Sequence, residues 1–263
     1  MVKHAVLLAG GEGTRLRPFT YYTSKHLLPV FNRPMIFYPL MNLLLLGVKN
    51  ICIIINKNHK EQWHNLFNGL KLPININVII QEKPEGIPHA LKLCEKIIGN
   101  HHHYLSLGDN ILLGSGMFKR FKEAVDKNSD SSVILGYHVR NPSDFGVVKY
   151  SKNGSVLKII EKPKIPPSNM AIVGLYKFPP DAFLLIEKLK KSKRNEYEIA
   201  DLINLYLGEK RCYLMESDSA TDFWLDAGSI ESLVSATNFL KELSVNGNID
   251  LANLENFDFK VNN

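Results

Sequence analysis

The stretch Val2-Lys3-His4-Ala5-Val6-Leu7-Leu8-Ala9-Gly10-Gly11-Glu12-Gly13-Thr14-Arg15-Leu16-Arg17-Pro18 decides how the rest of the chain is read. Val2 to Leu8 is a short apolar run that ends in glycines, which predicts a buried strand. Leu8 to Pro18 then predicts a loop at the strand's carboxyl end, where open α/β sheets bind their ligands. Glycines in that place let backbone N–H groups approach a phosphate closely or form a nest around it. Arg15 and Arg17 add positive charge. The loop matches neither of two common phosphate-binding patterns. No Gly-Lys dipeptide occurs in the chain, so there is no Walker A motif, and Leu16 stands where a GxGxxG fingerprint needs its third glycine.

Strand-like and helix-like segments alternate downstream. The pattern predicts a helix over Met35 to Leu46 closed by Gly47, a strand over Asn50 to Ile55, and a helix over His59 to Asn68. A strand follows at Ile74 to Ile80, a helix at Gly86 to Ile98 and a strand at His103 to Leu107. Repeated βα units imply a parallel sheet with helices on both faces. Past about residue 130 the pattern turns β-rich, with strands expected at Ser132 to Val139, Gly146 to Tyr150, Val156 to Ile160 and Ala171 to Phe178. Asn153-Gly154 is a hairpin signal. Helices return at Pro180 to Leu189, at Glu196 to Leu207 with an Asn195…Glu198 capping box, and at Ile230 to Leu243. One α/β domain with an inserted or appended β-rich lobe fits this order.

Composition agrees with a globular chain. Of 263 residues, 45% are hydrophobic and 22% charged, which excludes a disordered chain, a coiled coil and collagen. The net charge is +6, mild enough to serve any phosphate-bearing partner. Residues 1–60 hold eight Lys and Arg against Glu12 alone, so this N-terminal stretch is the expected receiver of a polyanion. Three scattered cysteines, with no CxxC pair, indicate neither zinc nor a disulfide framework and suit a reducing, cytoplasmic setting. Met35 to Ile55 is interrupted by Asn42, Gly47, Lys49 and Asn50, unlike a membrane span of about 20 apolar residues. A short apolar run from Met1 to Leu8 does not make a signal peptide. His101-His102-His103 cannot all face one ion from a strand and reads as a strand edge.

The glycine loop and Ser24-Lys25-His26-Leu27-Leu28-Pro29-Val30, with Arg33-Pro34-Met35, together resemble the sugar-phosphate nucleotidyltransferases, and within them the glucose-1-phosphate thymidylyltransferases. The resemblance runs through Gln81 with Pro84-Glu85-Gly86, Leu107-Gly108-Asp109-Asn110, Asn141-Pro142, Phe145-Gly146-Val147-Val148 and Glu161-Lys162-Pro163. It continues with Val173-Gly174-Leu175-Tyr176, Arg194 with Glu196 to Asp201, and Trp224-Leu225-Asp226-Ala227-Gly228. It implies a Rossmann-like α/β fold with a mixed, mainly parallel sheet and a smaller sugar-binding lobe. Residues 1–240 would form one domain, with nucleotide contacts in about 1–130, sugar contacts in about 131–226, and a short polar tail over 241–263.

The implied reaction is attack by the phosphate oxygen of glucose 1-phosphate on the α-phosphorus of dTTP or UTP, with release of pyrophosphate. The attacking phosphate is already ionised near neutral pH, so the demand is for alignment and charge neutralisation rather than a general base. The resemblance places nucleotide contacts on Leu8, Gly10, Gly11, Gly13, Thr14, Arg15, Lys25, Gln81, Pro84, Gly86 and Asp109. It places sugar-phosphate contacts on Asn110, Gly146, Glu161, Lys162, Val173, Tyr176 and Arg194. Arg15, Lys25 and Lys162 are the implied catalytic residues, and Asp109 and Asp226 the implied ligands of Mg²⁺. Membership also implies a homo-oligomer, dimer or tetramer.

The chain departs from the family pattern near the base. His26 stands where Gln is common, and Ile87-Pro88-His89-Ala90 replaces a more usual Leu-Ala-Gln-Ala. Phe145 stands where Tyr is common. These leave open the same chemistry with CTP, GTP or another sugar phosphate. A silent regulatory subunit would lack some of Arg15, Lys25, Asp109, Lys162 and Asp226, and all five are present. A nucleic-acid binder would show a continuous basic stripe with interleaved aromatics, and this chain does not.

Overall fold

A computed structural model describes residues 2–247 apart from 71, 73 and 115. In chain order the strands are β1 (His4–Ala9), β2 (Pro29–Val30), β3 (Arg33–Pro34), β4 (Asn50–Asn56), β5 (Asn75–Gln81), β6 (His103–Leu107) and β7 (Asn110–Gly114). They continue with β8 (Ser132–His138), β9 (Gly146–Tyr150), β10 (Val156–Glu161), β11 (Met170–Phe178), β12 (Cys212–Glu216) and β13 (Asp222–Asp226). The helices are α1 (Phe37–Leu45), α2 (Lys60–Gly69), α3 (Ile87–Lys92), α4 (Glu95–Ile98), α5 (Met117–Lys127), α6 (Ala182–Ile186), α7 (Ile199–Gly208) and α8 (Ile230–Gly247).

Nine strands form one mixed sheet in the order β10-β9-β11-β6-β1-β4-β5, with β8 paired to β11 and β12. β1 lies parallel to β4 and β6, and β4 parallel to β5. The expected α/β class therefore holds. The β-rich part is not a separate sheet, because β11 carries it into the main one. All nine β11 residues are buried, so the strand needs cover on both faces and neighbours on both edges. It runs antiparallel to β8 along one edge and to β6 and β9 along the other. The apolar run of β4, Ile51 to Ile55, is likewise central, with each aliphatic side chain contributing roughly 1.5–3 kcal/mol on burial. Two apolar clusters fill the two faces of the sheet, one on α1, α2 and α5, the other on α3, α6 and α7.

Six elements were not legible as elements: β2, β3, β7, α5, β12 and β13. β7 and β13 form a two-stranded antiparallel sheet that sets Asp226 opposite Asn110. The expected capping box is not a cap. α7 begins at Ile199 with Glu198 as its N-cap and no side-chain cap bond, because the Glu198 carboxylate is bound to Arg194 and Ser192 instead. The single helix expected over Gly86 to Ile98 is two short ones, α3 and α4. α8 runs past Leu243 to Gly247, and 248–263 of the expected tail lies outside the described residues. Among the described residues no helix is long and apolar enough to cross a membrane.

Candidate active site

A cavity of about 360 Å³ opens at the carboxyl ends of β1, β5 and β6, the position an α/β sheet offers a ligand. The glycine loop forms one wall. Gly13 has φ +64, and a Cβ there would stand 2.8 Å from the Thr20 side chain and 2.9 Å from the Lys25 Cβ. Only glycine lets the loop close onto Lys25 in this way. Thr20 Oγ1 donates to the Gly13 carbonyl at 2.8 Å, and buried Leu16 pins the following turn.

Lys25 reaches from that loop to Asp109, its Nζ 2.5 Å from Oδ2. Asp109 emerges directly after β6, where the Gly108 N–H donates to the Leu8 carbonyl at 2.8 Å and ties β6 to β1. Burial opposes ionisation of Asp109, but the Lys25 ammonium, neighbouring His26 and the Asn110 amide hold its carboxyl well below the usual range. Asp226 comes to the same rim through β13, where the Ala227 N–H donates to the Asp109 carbonyl at 3.3 Å. Its carboxyl is raised by burial and by the Asp109 charge, against the pull of Arg15 and Lys25. Arg15 Nη2 and Asp226 Oδ1 both crowd Gly228, at 2.8 Å and 3.1 Å from where its Cβ would stand.

The donor set at this rim fits a hard divalent cation. Two carboxylates repel one another across it, and among the described residues no third acid, His or Cys joins them as a cluster. One or two carboxylates with the remaining positions left to water and phosphate is what Mg²⁺ takes, unlike an all-protein cage.

The opposite wall holds the second group of basic residues. Lys162 follows β10 with φ +41, its N–H donating to the Phe145 carbonyl at 3.0 Å. Arg194 makes a two-point bond to Glu198, from Nε at 3.0 Å and from Nη2 at 2.6 Å. Its Nη2 also lies 3.5 Å from Glu161 and 3.4 Å from Glu196. Ser192 Oγ donates to Glu198 at 2.6 Å and completes the carboxylate's hold. The two walls are joined at Gly86, whose φ of +103 allows a β-bridge to Tyr197. A Cβ there would collide with the Tyr197 carbonyl oxygen.

Leu8, Gly10, Gly11, Lys25, Gln81, Pro84, Gly86, Asp109, Lys162 and Arg194 therefore share one cavity. Gly13 and Thr14 lie in the loop behind it, and Arg15 and Asp226 at the rim. Glu161 ends β10 opposite Gly146, within ion-pair reach of Arg194. Gly146 and Val173 are strand residues outside the wall, and Val173 is buried in the core. Tyr176 is packed in β11 against Phe178, ring centres 6.0 Å apart, so ordinary strand packing describes its ring. Its hydroxyl is pushed up by burial, then by Glu161 and Asp109. Asn110 acts as a joint: Oδ1 accepts from Trp224 Nε1 at 2.8 Å and Gly174 N–H at 3.0 Å, and Nδ2 donates to Asp109 at 3.1 Å.

Sequence reasoning missed Glu196, Tyr197 and Glu198 as wall residues, having read them as a helix start. His26 also lines the cavity while almost wholly buried. Burial, then the Lys25 charge, brings its imidazole down to about 3, so it stays neutral beside the lysine.

Residues 4–242 match the family model described as Nucleotidyl transferase. A glucose-1-phosphate thymidylyltransferase of Mycobacterium tuberculosis is 38% identical over 242 residues, covering 90% of this chain and 82% of that one. One of Neisseria gonorrhoeae is 38% identical over 253 residues, covering 95% and 86%. A Bacillus anthracis protein assigned as a glucose-1-phosphate thymidylyltransferase, solved with sucrose, superposes with a TM-score of 0.85 at 33% identity, over 98% of this chain and all of that one. The match takes in both walls of the cavity, from the glycine loop through Lys162 to Asp226, and the chain belongs to the nucleotidyl transferase family.

Proposed function

We propose that this chain transfers a nucleotidyl group from dTTP or UTP to glucose 1-phosphate, giving the nucleotide-sugar and pyrophosphate. The observation that carries the reading is the placing of two basic groups on facing walls of one cavity, Lys25 on the glycine-loop side and Lys162 with Arg194 on the other. Two phosphate-bearing substrates need two such places. The three free thiols suit a reducing, cytoplasmic setting.

In this reading Gly10, Gly11 and Gly13 offer backbone N–H groups to the triphosphate. Arg15 at the rim takes the β- and γ-phosphates that leave. Lys25 neutralises charge gathering on the α-phosphate. Lys162 and Arg194 hold the sugar phosphate so that one of its oxygens attacks the α-phosphorus opposite the departing pyrophosphate. One P–O bond forms as the other breaks, and no proton is transferred. Gln81 and Gly86 face the base, and Glu161 accepts hydrogen bonds from sugar hydroxyls. Asp109 and Asp226 are the residues that would hold Mg²⁺. When bound, the ion supplies positive charge to the transferring and leaving phosphates.

The test is pyrophosphate release by purified protein with Mg²⁺, glucose 1-phosphate and dTTP, UTP, CTP or GTP in turn. Release with dTTP or UTP is expected. Release only with CTP or GTP keeps the chemistry and overturns the base assignment. Silence with all four, and with a panel of other sugar phosphates, overturns the activity.

A further inference from the structure

We propose that His89 sets the nucleobase preference of this cavity by fixing the orientation of the Gln81 carboxamide, so that uracil-type bases are taken and cytosine is rejected. The inference rests on the reading that the cavity takes a nucleoside triphosphate. Gln81 ends β5 and is buried in the cavity wall. Its Nε2 lies 3.2 Å from His89 Nδ1, and its Oε1 lies over Gly10, 3.1 Å from where a Cβ on that residue would stand. His89 sits in α3, just after the Pro84-Glu85-Gly86 turn.

A neutral imidazole carries one N–H, and which nitrogen bears it is set by what faces the other. His89 Nε2 faces Glu85 Oε2 at 3.9 Å. Glu85 in turn is held by Lys191, Nζ to Oε1 at 2.9 Å, and that ion pair keeps its carboxyl below the usual range and ionised. An ionised carboxylate opposite Nε2 draws the proton there. Nδ1 is then a bare acceptor, and Nε2 of the Gln81 amide is the group that satisfies it. The amide is thereby locked with its carbonyl oxygen beside Gly10, in the cavity.

A wall that offers a carbonyl oxygen accepts from a base carrying an N–H on its pairing edge. Thymine and uracil have one at N3. Cytosine has a lone pair there, which would meet the lone pairs of Gln81 Oε1. The discrimination therefore originates in Lys191 and Glu85, outside the base contact, and passes through His89. Gln81 makes the contact, and His89 and Glu85 are positioning residues.

The experiment compares kcat/KM for dTTP, UTP and CTP in wild type, His89→Leu and Glu85→Gln, with the imidazole tautomer read by ¹⁵N shifts at pH 8 without substrate. In wild type, Nε2 should be protonated and Nδ1 bare. Both substitutions should lower the dTTP-to-CTP ratio about tenfold, the size of one lost base contact, and leave the dTTP-to-UTP ratio unmoved. Glu85→Gln should also mix the two tautomers. A wild-type tautomer protonated at Nδ1 overturns the inference, as does an unchanged dTTP-to-CTP ratio in both active variants. Silence of wild type with every triphosphate defeats the proposed function instead, while the tautomer still decides the relay.

Discussion

The two walls of the cavity present positive charge in opposite ways. On the glycine-loop wall one lysine faces one half-buried carboxylate at 2.5 Å, backed by loop backbone and by Arg15 at the rim. On the facing wall one arginine is surrounded by three carboxylates, Glu161, Glu196 and Glu198. On the first wall Lys25 and Arg15 are offset by Asp109 and Asp226, so loop N–H groups and a cation held by the two carboxylates would be what answers a triphosphate. The second is close to balanced, which suits a neutral ring carrying a single phosphate. The difference also separates charge from positioning: Lys25 works as a point charge, whereas Arg194 is a planar fork whose direction Glu198 sets.

The sharpest way to break this comparison is at the carboxylates that close the first wall. Asp226→Asn should lower kcat by roughly a thousandfold, the several kcal/mol expected for a ligand of the charge-neutralising ion. The folded chain should not suffer, because burial and Asp109 already make an ionised Asp226 unfavourable. Near-normal turnover would remove Asp226 from a metal-holding role, and a lowered Tm would mean that the fold depends on the Asp226 carboxylate rather than resisting its charge. Lys25→Gln should cost about a hundredfold in kcat, as one lost donor to developing charge does. Here the fold should suffer as well, by roughly 2 kcal/mol, because Asp109 loses its counter-charge in a site only partly open to water. Thermal unfolding of the two variants side by side separates a carboxylate that the fold resists from a lysine that it needs.

The two walls also differed in how far the sequence revealed them. The glycine-loop wall is built by contiguous residues at strand ends, and parallel strands announce themselves as apolar runs that stop at glycines. β1, the Gly10 to Arg15 loop and Asp109 after β6 were all placed by that pattern. The facing wall is built from turns. Lys162 and Asn195 adopt positive φ without being glycine, a conformation no composition rule flags. Glu198 was read as half of a capping box because the spacing allowed it, while tertiary contact with Arg194 and Ser192 claimed its carboxylate. β7 and β13 escaped notice because five-residue strands in a two-stranded sheet carry little periodicity, yet they bring Asp226 to Asp109. The contribution of the resemblance was to name Asp226 and Lys162 where spacing could not connect them to the loop.

On the facing wall the expected effects are smaller and fall on the sugar phosphate. Glu198→Gln should raise the KM for glucose 1-phosphate about tenfold, one charged two-point hydrogen bond loosened, with the KM for dTTP unchanged. An equal rise in both would mean that Glu198 holds the fold of the 192–198 turn rather than the aim of Arg194.

The smallest effect tests the balance of that wall directly. Burial, then the Glu198 charge, raises the Glu161 carboxyl above its usual range, and Arg194 and Lys162 only partly offset this. A carboxyl raised on folding takes up its proton more readily in the folded chain than in the unfolded one. Ionised Glu161 therefore disfavours the fold at neutral pH, and that penalty disappears once the pH falls below the unfolded carboxyl's own range. Glu161→Gln keeps the shape and removes the charge, so Tm should rise slightly at pH 7 and the gain should vanish in acid. The same variant should bind glucose 1-phosphate less well, since an amide accepts from sugar hydroxyls more weakly than a carboxylate. Thermal unfolding between pH 4 and 8, with and without glucose 1-phosphate, checks both. A variant less stable than wild type at neutral pH would mean that Arg194 depends on Glu161 as much as on Glu198, and that the second wall is held together by all its carboxylates rather than aimed by one.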